Sequence, residues 1–353
     1  MNILHIVRAL DVGGLERVVL DLAHGSRAQG HDVHIVCLHK AGTWGASRED
    51  VVVAGGRHWL QQAWRCARIA RRLQADVLHS HNPEPHRVAV LAGIMARIPV
   101  IHTKHGRNYP GNRRRVWLNR QMARLSRSIV CVSADAASVA TDIEKVPKTK
   151  VTVIPNGIDT EDYRPSPRKE RIVTIGTVGR LSLEKNYAHL IEAFRRVYRE
   201  VGRSVRLLIV GDGVERPKLE RLAADLPVTF AGMQPEVAVW LGQMDIFCLS
   251  SRSEGISITL LEAGAMGIPA VVTDVGGNRE IVINEKSGIL VTSGDTAAFA
   301  AALVRLAGNA ALRERMGAAA REHVVSGYSV QQMVRAYGEE YGKVESRKSK
   351  VES

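Results

Sequence analysis

The chain has 353 residues, of which 45% are hydrophobic, and a formal net charge of +13. This length suffices for two domains that each bury a core. No uninterrupted apolar stretch reaches the length of a membrane span, which excludes an integral membrane protein, and the first ten residues indicate a strand and not a secretion leader. The four cysteines lie far apart without metal-ligand spacing, which indicates buried thiols in a reducing cytoplasm.

Short apolar runs alternate with helical segments through the first half of the chain. This alternation is typical of a parallel sheet, whose strands are buried on both faces. The runs that indicate strands are 3–7, 33–38, 77–79, 100–103, 129–132 and 151–154.

Gly13-Gly14 follows the first of these strands and opens a helix that carries Val18 and Val19. Paired glycines let the backbone approach a ligand closely and leave N–H groups for phosphate or sugar oxygens. A tight turn needs glycine equally, so the pair alone is a weak signal. No G-x-G-x-x-G occurs in the chain, which counts against a nicotinamide or flavin dehydrogenase.

Histidines follow two successive strands of this half. His81 ends one strand, and Lys104 and His105 end the next. The carboxyl ends of parallel strands are where such sheets present functional side chains, so we expect these residues to line one cleft. No carboxylate stands beside them at ligand spacing, and we therefore predict no metal site.

The positive charge is concentrated in one region. Residues 61–130 contain fourteen Lys and Arg against Asp76 and Glu84, so 14 − 2 = +12 falls in this stretch. Without aromatic interleaving or a DNA- or RNA-binding signature, nucleic acid is a poor partner. Residues 112–128 mix arginines with Trp117 and other apolar residues, as expected of a helix at an anionic membrane surface. An ordinary solvated helix face is the alternative.

A polar, proline-bearing run from 159 to 171 interrupts the rhythm, and we place the domain boundary there, between domains 1–165 and 166–327. The second half resumes with strands predicted at 172–178, 207–210, 228–231, 246–249, 270–273 and 288–291. The charged residues 344–353 are expected to form a disordered tail.

Arg180 and Lys185 follow the first strand of the second half and precede a helix. Their cationic groups would form charge-assisted hydrogen bonds with an anion such as a diphosphate. An ordinary strand-to-helix loop with two surface cations is the alternative.

Two glutamates, Glu254 and Glu262, flank a predicted helix start for which Ser257 is a plausible N-cap. Glu254 would lie in the loop at the positive end of the helix and Glu262 about a turn inside it, both opening toward one crevice. Paired carboxylates commonly serve as acid and base. A long polar ligand that contacts both is the second interpretation.

Taken in order, these motifs resemble the family-four retaining glycosyltransferases, which have the GT-B fold. The resemblance covers nearly the whole chain and is strongest from Val178 to Asp295. It implies an α/β protein with two Rossmann-like, doubly wound parallel-sheet domains facing a central cleft. It also implies a helix at about 328–343 that packs back on the first domain.

The resemblance implies roles for individual residues. Glu262 would bind the ribose hydroxyls, and Glu254 and His105 the donor sugar. Arg180 and Lys185 would contact the diphosphate, and all except Glu262 are the expected catalytic residues. The other expected donor-binding residues are Gly14, Gly211, Gly213, Met233, Gly255, Ile256 and Ser257, and the expected acceptor-side residues are Gly13, His81, Lys104 and Arg107.

Such an enzyme transfers a sugar from a nucleotide diphosphate with retention of configuration and without a metal or other cofactor. A UDP-sugar is favoured over GDP-mannose, and the basic first domain suggests a lipid-linked or polysaccharide acceptor of the cell envelope at the inner membrane face. Ile256 and Ser257 depart from the family pattern of Phe and Pro. A GT-B epimerase or phosphorylase, or a non-catalytic nucleotide-sugar scaffold, remains the alternative.

Overall fold

A computed structural model describes residues 1–106, 111–165 and 172–352, with side chains as far as residue 344. The chain forms two compact units. The first consists of 1–157 together with 330–353, and the second of 158–329. The chain therefore leaves the first unit once and returns to it.

The strands of the first unit are β1 (Asn2–Val7), β2 (Asp32–Cys37), β3 (Val51–Val53), β4 (Val77–His81), β5 (Val100–Lys104), β6 (Ser128–Cys131) and β7 (Val151–Val153). They form one sheet in the order β3-β2-β1-β4-β5-β6-β7, and every pairing is parallel. All six predicted strands are confirmed. The three-residue strand β3, at the sheet edge, was not predicted.

The strands of the second unit are β8 (Val173–Val178), β9 (Val205–Val210), β10 (Val228–Gly232), β11 (Ile246–Leu249), β12 (Ala270–Thr273) and β13 (Gly288–Val291). Their order is β10-β9-β8-β11-β12-β13, again all parallel. In both sheets the first three strands extend the sheet to one side, and the chain then reverses direction so that the later strands lie on the other side of the first strand. Because crossovers between parallel strands are right-handed, this reversal places helices on both faces, and the predicted doubly wound α/β fold is confirmed.

The helices are α1 (Gly14–Ala28), α2 (Trp59–Arg72), α3 (Pro83–Ala96), α4 (Arg113–Leu125), α5 (Ala134–Ser138), α6 (Tyr187–Val201), α7 (Arg216–Leu222), α8 (Val237–Leu241), α9 (Ile258–Ala265), α10 (Asn278–Ile281), α11 (Thr296–Ala307), α12 (Ala310–Gly327) and α13 (Val330–Glu352). Among the described residues, no helix combines the length and apolarity that crossing a membrane requires. The apolar faces of the helices cover the sheets. In the second unit, for example, Leu190 and Phe194 of α6 and Phe299 of α11 are fully buried in one core cluster.

The boundaries of the two units differ from the predicted domain limits. The chain passes from the first unit to the second between Gly157 and Ile158, not near residue 165. Ile158 already belongs to the second unit, because it donates its amide hydrogen to the Tyr328 carbonyl there at 2.9 Å. The last helix, α13, belongs to the first unit. It continues to Glu352, through most of the segment that we expected to be disordered.

Candidate active site

The first candidate region is one edge of the second sheet. Strands β9, β8, β11 and β12 are neighbours and run parallel, so the loops that follow them emerge at the same edge. Backbone hydrogen bonds join these loops in pairs. The Leu181 amide donates to the Asp212 carbonyl at 3.0 Å, the Arg252 amide to the Glu184 carbonyl at 2.8 Å, and Gly277 to Gly255 at 2.8 Å.

Two glycines explain how the loops approach so closely. A Cβ atom on Gly211 would lie 2.1 Å from the Gly179 carbonyl oxygen, and one on Gly276 would lie 2.0 Å from the Glu254 carbonyl oxygen. Both residues have positive φ, +130° and +55°, which side chains disfavour. Gly213, also an expected site residue, would place a Cβ 2.4 Å from the Leu181 carbonyl oxygen. The edge is therefore built from backbone in direct contact.

Glu254 lies in the loop after β11, where it forms an ion pair with Lys185. The Lys185 ammonium lies 2.6 Å from Glu254 Oε1, and Ser251 Oγ donates to the same oxygen at 2.5 Å. The Glu254 side chain is 9% exposed and that of Lys185 is 23% exposed. The sequence places both residues correctly at this edge, but it predicts separate partners for them. Ser251 was missed, because no motif marks a serine three residues before the glutamate.

Glu262 lies within α9 and is 7% exposed. Tyr163, which is 8% exposed, donates a hydrogen bond from its hydroxyl to Glu262 Oε1 at 2.8 Å. This bond fixes the orientation of the carboxylate. Ser257 occupies the predicted N-cap position of α9, with an extended backbone, but its side chain makes no capping bond.

Other expected donor-binding residues lie at or near the same edge with different exposure. Arg180 is exposed, and Met233, which follows β10, is 64% exposed. Ile256 is buried at 6%. Asp212, which follows β9, accepts from the Gly213 amide at 2.7 Å and pairs with Arg216 at 2.8 Å, and these two contacts hold the pKa of its carboxyl below the ordinary value. Arg216 was not identified from the sequence.

In the first unit, Gly13 and Gly14 form the start of α1. Gly13 is the N-cap, with extended backbone and no side-chain capping bond, and Gly14 is the first helical residue. The amide hydrogens of a first helical turn lack partners within the helix and favour anions. The predicted helix start is confirmed, and its role in binding stays a prediction.

The predicted histidines lie in a cluster with a third, His5 of β1. His81 Nε2 lies 3.0 Å from His5 Nδ1, and His81 Nδ1 lies 3.1 Å from His105 Nε2. His5 and His81 are buried, whereas His105 is partly exposed. Burial lowers the pKa of His5 to about 3 and that of His105 to about 4, so all three rings are neutral near pH 7.

His79 lies beside this row, and the ring nitrogens of His5, His79 and His81 are within 4.8 Å of one another. Three histidines at this distance are a familiar zinc arrangement. Here the nitrogens of His79 are instead hydrogen-bonded, Nδ1 to the Tyr341 hydroxyl at 2.7 Å and Nε2 to Thr103 Oγ1 at 2.7 Å. The arrangement therefore favours a hydrogen-bonded cluster over a metal site.

Lys104 is buried and forms an ion pair. Its side chain is 3% exposed and its ammonium lies 2.7 Å from Glu144 Oε1, which also accepts from the Asn119 side-chain amide at 2.7 Å. In this conformation the Lys104 ammonium is not available to the acceptor substrate, which is the role that the sequence predicted for it. Burial at the end of a central strand is a long-range property that the motif does not reveal. Arg107, another expected acceptor-side residue, lies outside the described residues.

Two family models match the chain, one to each unit. Glycosyltransferase Family 4 matches residues 12–162, and Glycosyl transferases group 1 matches residues 172–309. The chain is 27% identical over 288 residues to a UDP-Gal:α-D-GlcNAc-diphosphoundecaprenol α-1,3-galactosyltransferase of Escherichia coli, covering 74% of each chain. It is 28% identical over 299 residues to the N-acetyl-α-D-glucosaminyl L-malate synthase of Bacillus anthracis, covering 79% of this chain and 77% of the other.

Solved structures agree on the fold. Anabaena HepE in complex with UDP-glucose matches with a TM-score of 0.87 over 97% of this chain and 100% of that chain, at 20% identity.

Proposed function

This chain belongs to the family-four glycosyltransferases of the GT-B fold, and we propose that it transfers a sugar from a UDP-sugar, with retention of configuration, to a lipid-linked or polysaccharide acceptor of the cell envelope. The observation that carries this proposal is the pair of anchored glutamates at one sheet edge. Glu254 is held by Lys185 and Ser251, and Glu262 by Tyr163.

Anchoring of this kind suits a ligand that is long and polar. A carboxylate held at Glu262 accepts bonds from two neighbouring hydroxyls, as a ribose presents them. At Glu254, a second carboxylate accepts from the hydroxyls of the donor sugar. Both glutamates therefore position the donor, and neither has to exchange a proton with solvent.

Charge at the diphosphate comes from Lys185 and Arg180. Negative charge develops on the leaving diphosphate as the sugar–phosphate bond breaks, and cationic groups near it stabilise the transition state. Two cations in this position replace a divalent metal, so we propose a metal-independent reaction. The acceptor hydroxyl attacks from the face that the diphosphate leaves, which retains the configuration.

The donor and acceptor classes rest on the relatives. The E. coli relative is named for UDP-Gal and for an acceptor linked to diphosphoundecaprenol, and the Anabaena structure holds UDP-glucose. From these relatives we propose a UDP-sugar donor and a lipid-linked acceptor for this chain. Such an acceptor requires the enzyme to work at a membrane, as a cytoplasmic protein at the inner face.

The exposed side of α4 supports membrane binding. Trp117 is 57% exposed and Leu125 is 58% exposed, and the two lie eight residues apart on one helix face. Arg113, Arg114 and Arg124 are exposed on the same helix. A helix that presents tryptophan and leucine among arginines matches an anionic headgroup layer.

The neighbouring helices extend this surface. α2 exposes Trp59 at 50% and Trp64 at 51%, and the Arg68 guanidinium lies 4.8 Å from the centre of the Trp64 ring. α3 packs against both α2 and α4. A cleft of about 480 Å³ at the ends of α3 and α4 is lined by apolar residues, among them Ile94 and Leu125, and by Ser126, Arg124, Arg127 and Lys150. We propose that this side of the first unit contacts anionic lipid.

The transfer reaction is tested with a panel of nucleotide sugars. A donor at 100 times its dissociation constant stabilises the protein by about 2.7 kcal/mol, which a thermal shift detects. We expect UDP-sugars to stabilise the protein more than GDP-mannose does. Turnover with the selected donor and an undecaprenyl-diphosphate-linked sugar is then followed by NMR of the new anomeric proton, with and without EDTA. An inverted product, or activity lost in EDTA, would contradict the mechanism.

Membrane binding is tested by sedimentation with vesicles of phosphatidylglycerol and of phosphatidylcholine. We expect binding to the anionic vesicles only, weakened by salt and by Trp117→Ala. Val239→Ser, which changes a 58% exposed valine of the second unit, is the matched control. Equal binding to both vesicle types would contradict the proposed surface.

A further inference from the structure

Three imidazoles form a row from the interior of the first sheet to its carboxyl edge. His5 lies on β1, His81 ends β4 and His105 follows β5, and these three strands are neighbours in the sheet. The row has two direct contacts, His5 Nδ1 to His81 Nε2 at 3.0 Å and His81 Nδ1 to His105 Nε2 at 3.1 Å. Both nitrogens of the middle ring are therefore used within the row.

A row of neutral histidines admits only two proton arrangements. Each neutral ring carries one N–H and one bare nitrogen, and each contact needs one N–H facing one bare nitrogen. In the outward arrangement, His5 donates to His81 and His81 donates to His105, so that His105 carries its hydrogen on Nδ1. In the inward arrangement every bond is reversed, and His105 carries its hydrogen on Nε2.

The inner end of the row distinguishes the two arrangements. His5 Nε2 is buried, and none of the residues that the structure describes offers it a hydrogen-bond partner. The outward arrangement leaves this atom as a bare nitrogen, whereas the inward arrangement leaves it as an N–H. A buried N–H without an acceptor is the rarer and costlier of the two. The outward arrangement is therefore favoured.

We infer that His5 and His81 hold His105 as the tautomer with its hydrogen on Nδ1, ready to donate to a substrate oxygen. Nε2 of His105 faces His81, so Nδ1 is the nitrogen that remains for a substrate. A neutral donor of fixed direction suits a sugar hydroxyl, and this part of the inference rests on the proposed function. His5 and His81 are positioning residues, since neither reaches the surface.

His79 keeps the middle ring in place. Its ring lies 4.3 Å from that of His81 and 4.9 Å from that of His5, measured between centroids. Bonds to Tyr341 and Thr103, both at 2.7 Å, hold His79 itself. Rotation of the His81 ring, which would break the row, is therefore opposed by packing as well as by its two bonds.

The inference is tested on protein labelled with ¹⁵N-histidine near pH 7.5. Long-range ¹H–¹⁵N correlation distinguishes the two tautomers of each ring, and the His105 signals are identified by their loss in His105→Gln. We expect a protonated Nδ1 and a bare Nε2 on His105. A protonated Nε2 on His105 of the wild-type protein overturns the inference.

A variant then tests the relay through His81. His5→Met replaces the inner donor with a thioether, which accepts a hydrogen bond and cannot donate one. We therefore expect the row to reverse, the Nε2-protonated form of His105 to appear, and kcat/KM to fall by about five- to tenfold, the value of one neutral hydrogen bond. His86→Gln, which changes a buried histidine outside the row that bonds Ser126, is the matched control and should leave the His105 tautomer unchanged. A His105 tautomer that His5→Met does not alter overturns the relay.

The tautomer measurement does not depend on sugar transfer. Outward protonation without any detectable transfer supports the inference and contradicts the proposed function. Transfer by a protein whose His105 is protonated on Nε2 does the reverse.

Discussion

Lowering the pH from about 8 to about 5 should destabilise the first unit much more than the second. Five histidines of the first unit are at most 4% exposed: His5, His79, His81, His86 and His102. Burial lowers the pKa of all five, to about 3 for His5 and His86. Of the two histidines in the second unit, His189 also has a lowered pKa and is only partly buried.

The sign and size of the effect follow from linkage. A histidine with a folded pKa of about 3 and an unfolded pKa near 6.5 binds protons only when unfolded in this pH range. Its stabilisation is complete above about pH 6.5 and is lost as the pH falls toward about 3. At about pH 5 each such group costs about 2 kcal/mol. His5 and His86 together cost about 4 kcal/mol, and the other three act in the same direction.

Domains are stable by only about 5–15 kcal/mol, so this loss is large. With a urea dependence of about 2 kcal/mol per molar, the unfolding midpoint of the first unit should fall by at least about 2 M. Tryptophan fluorescence measures this unit selectively in Trp240→Phe, because the other four tryptophans lie in residues 1–157. The pH window stays above the range in which most carboxylates titrate.

A pair of variants separates the histidines from other causes. His86→Gln replaces a buried titrating ring with a side chain that still bonds Ser126, and should remove about 2 kcal/mol of the pH dependence. His189→Gln, which changes a histidine of the second unit, is the control and should leave the pH dependence of the first unit unchanged. An unfolding midpoint of the first unit that is the same at both pH values would refute the reasoning.

Three further predictions concern the second unit. Lys185→Ala removes a charge-assisted bond at the glutamate and should lower kcat/KM by about 10- to 100-fold in steady-state assays; wild-type kinetics would exclude its role. Tyr163→Phe removes the hydroxyl that bonds Glu262 and should weaken UDP binding about fivefold by calorimetry, for a loss of about 1 kcal/mol, and unchanged affinity would contradict the anchoring. Gly276→Ala, with a Cβ 2.0 Å from a carbonyl oxygen, should lower Tm more than Gly294→Ala, which has positive φ and open space; equal losses would show that backbone strain alone acts.

The sequence predicts the two sheets and the positions of the candidate site residues in the loops that follow the strands. Strand runs, helix starts and the loops that hold Lys185 and Glu254 can be read locally, because strand and helix periods and turn residues are local signals. The hydrogen-bond partners of functional side chains cannot be read in this way. Tyr163 and Glu262 are 99 residues apart in the chain, and His5 and His81 are 76 apart. Tertiary packing creates such pairs, and no spacing rule contains them.

Lys104 is a residue whose burial the sequence did not predict. Its motif suggests a cation at a strand end, offered to a substrate, whereas the folded chain buries it against Glu144. Whether a charged residue at a strand end faces solvent depends on residues distant in the chain, here Glu144 and the Asn119 side chain that bonds it. A single sequence does not contain that information in local form.

The return of the chain to the first unit has a consequence for its synthesis. The hydroxyl partner of His79, Tyr341, lies on α13, which a ribosome makes only after residues 158–329. At roughly 5–20 residues per second, roughly 10–30 s pass before the last helix emerges. Until then the nascent first unit holds all its strands but lacks this partner of His79. The first unit should therefore be completed after the second, although its translation begins first.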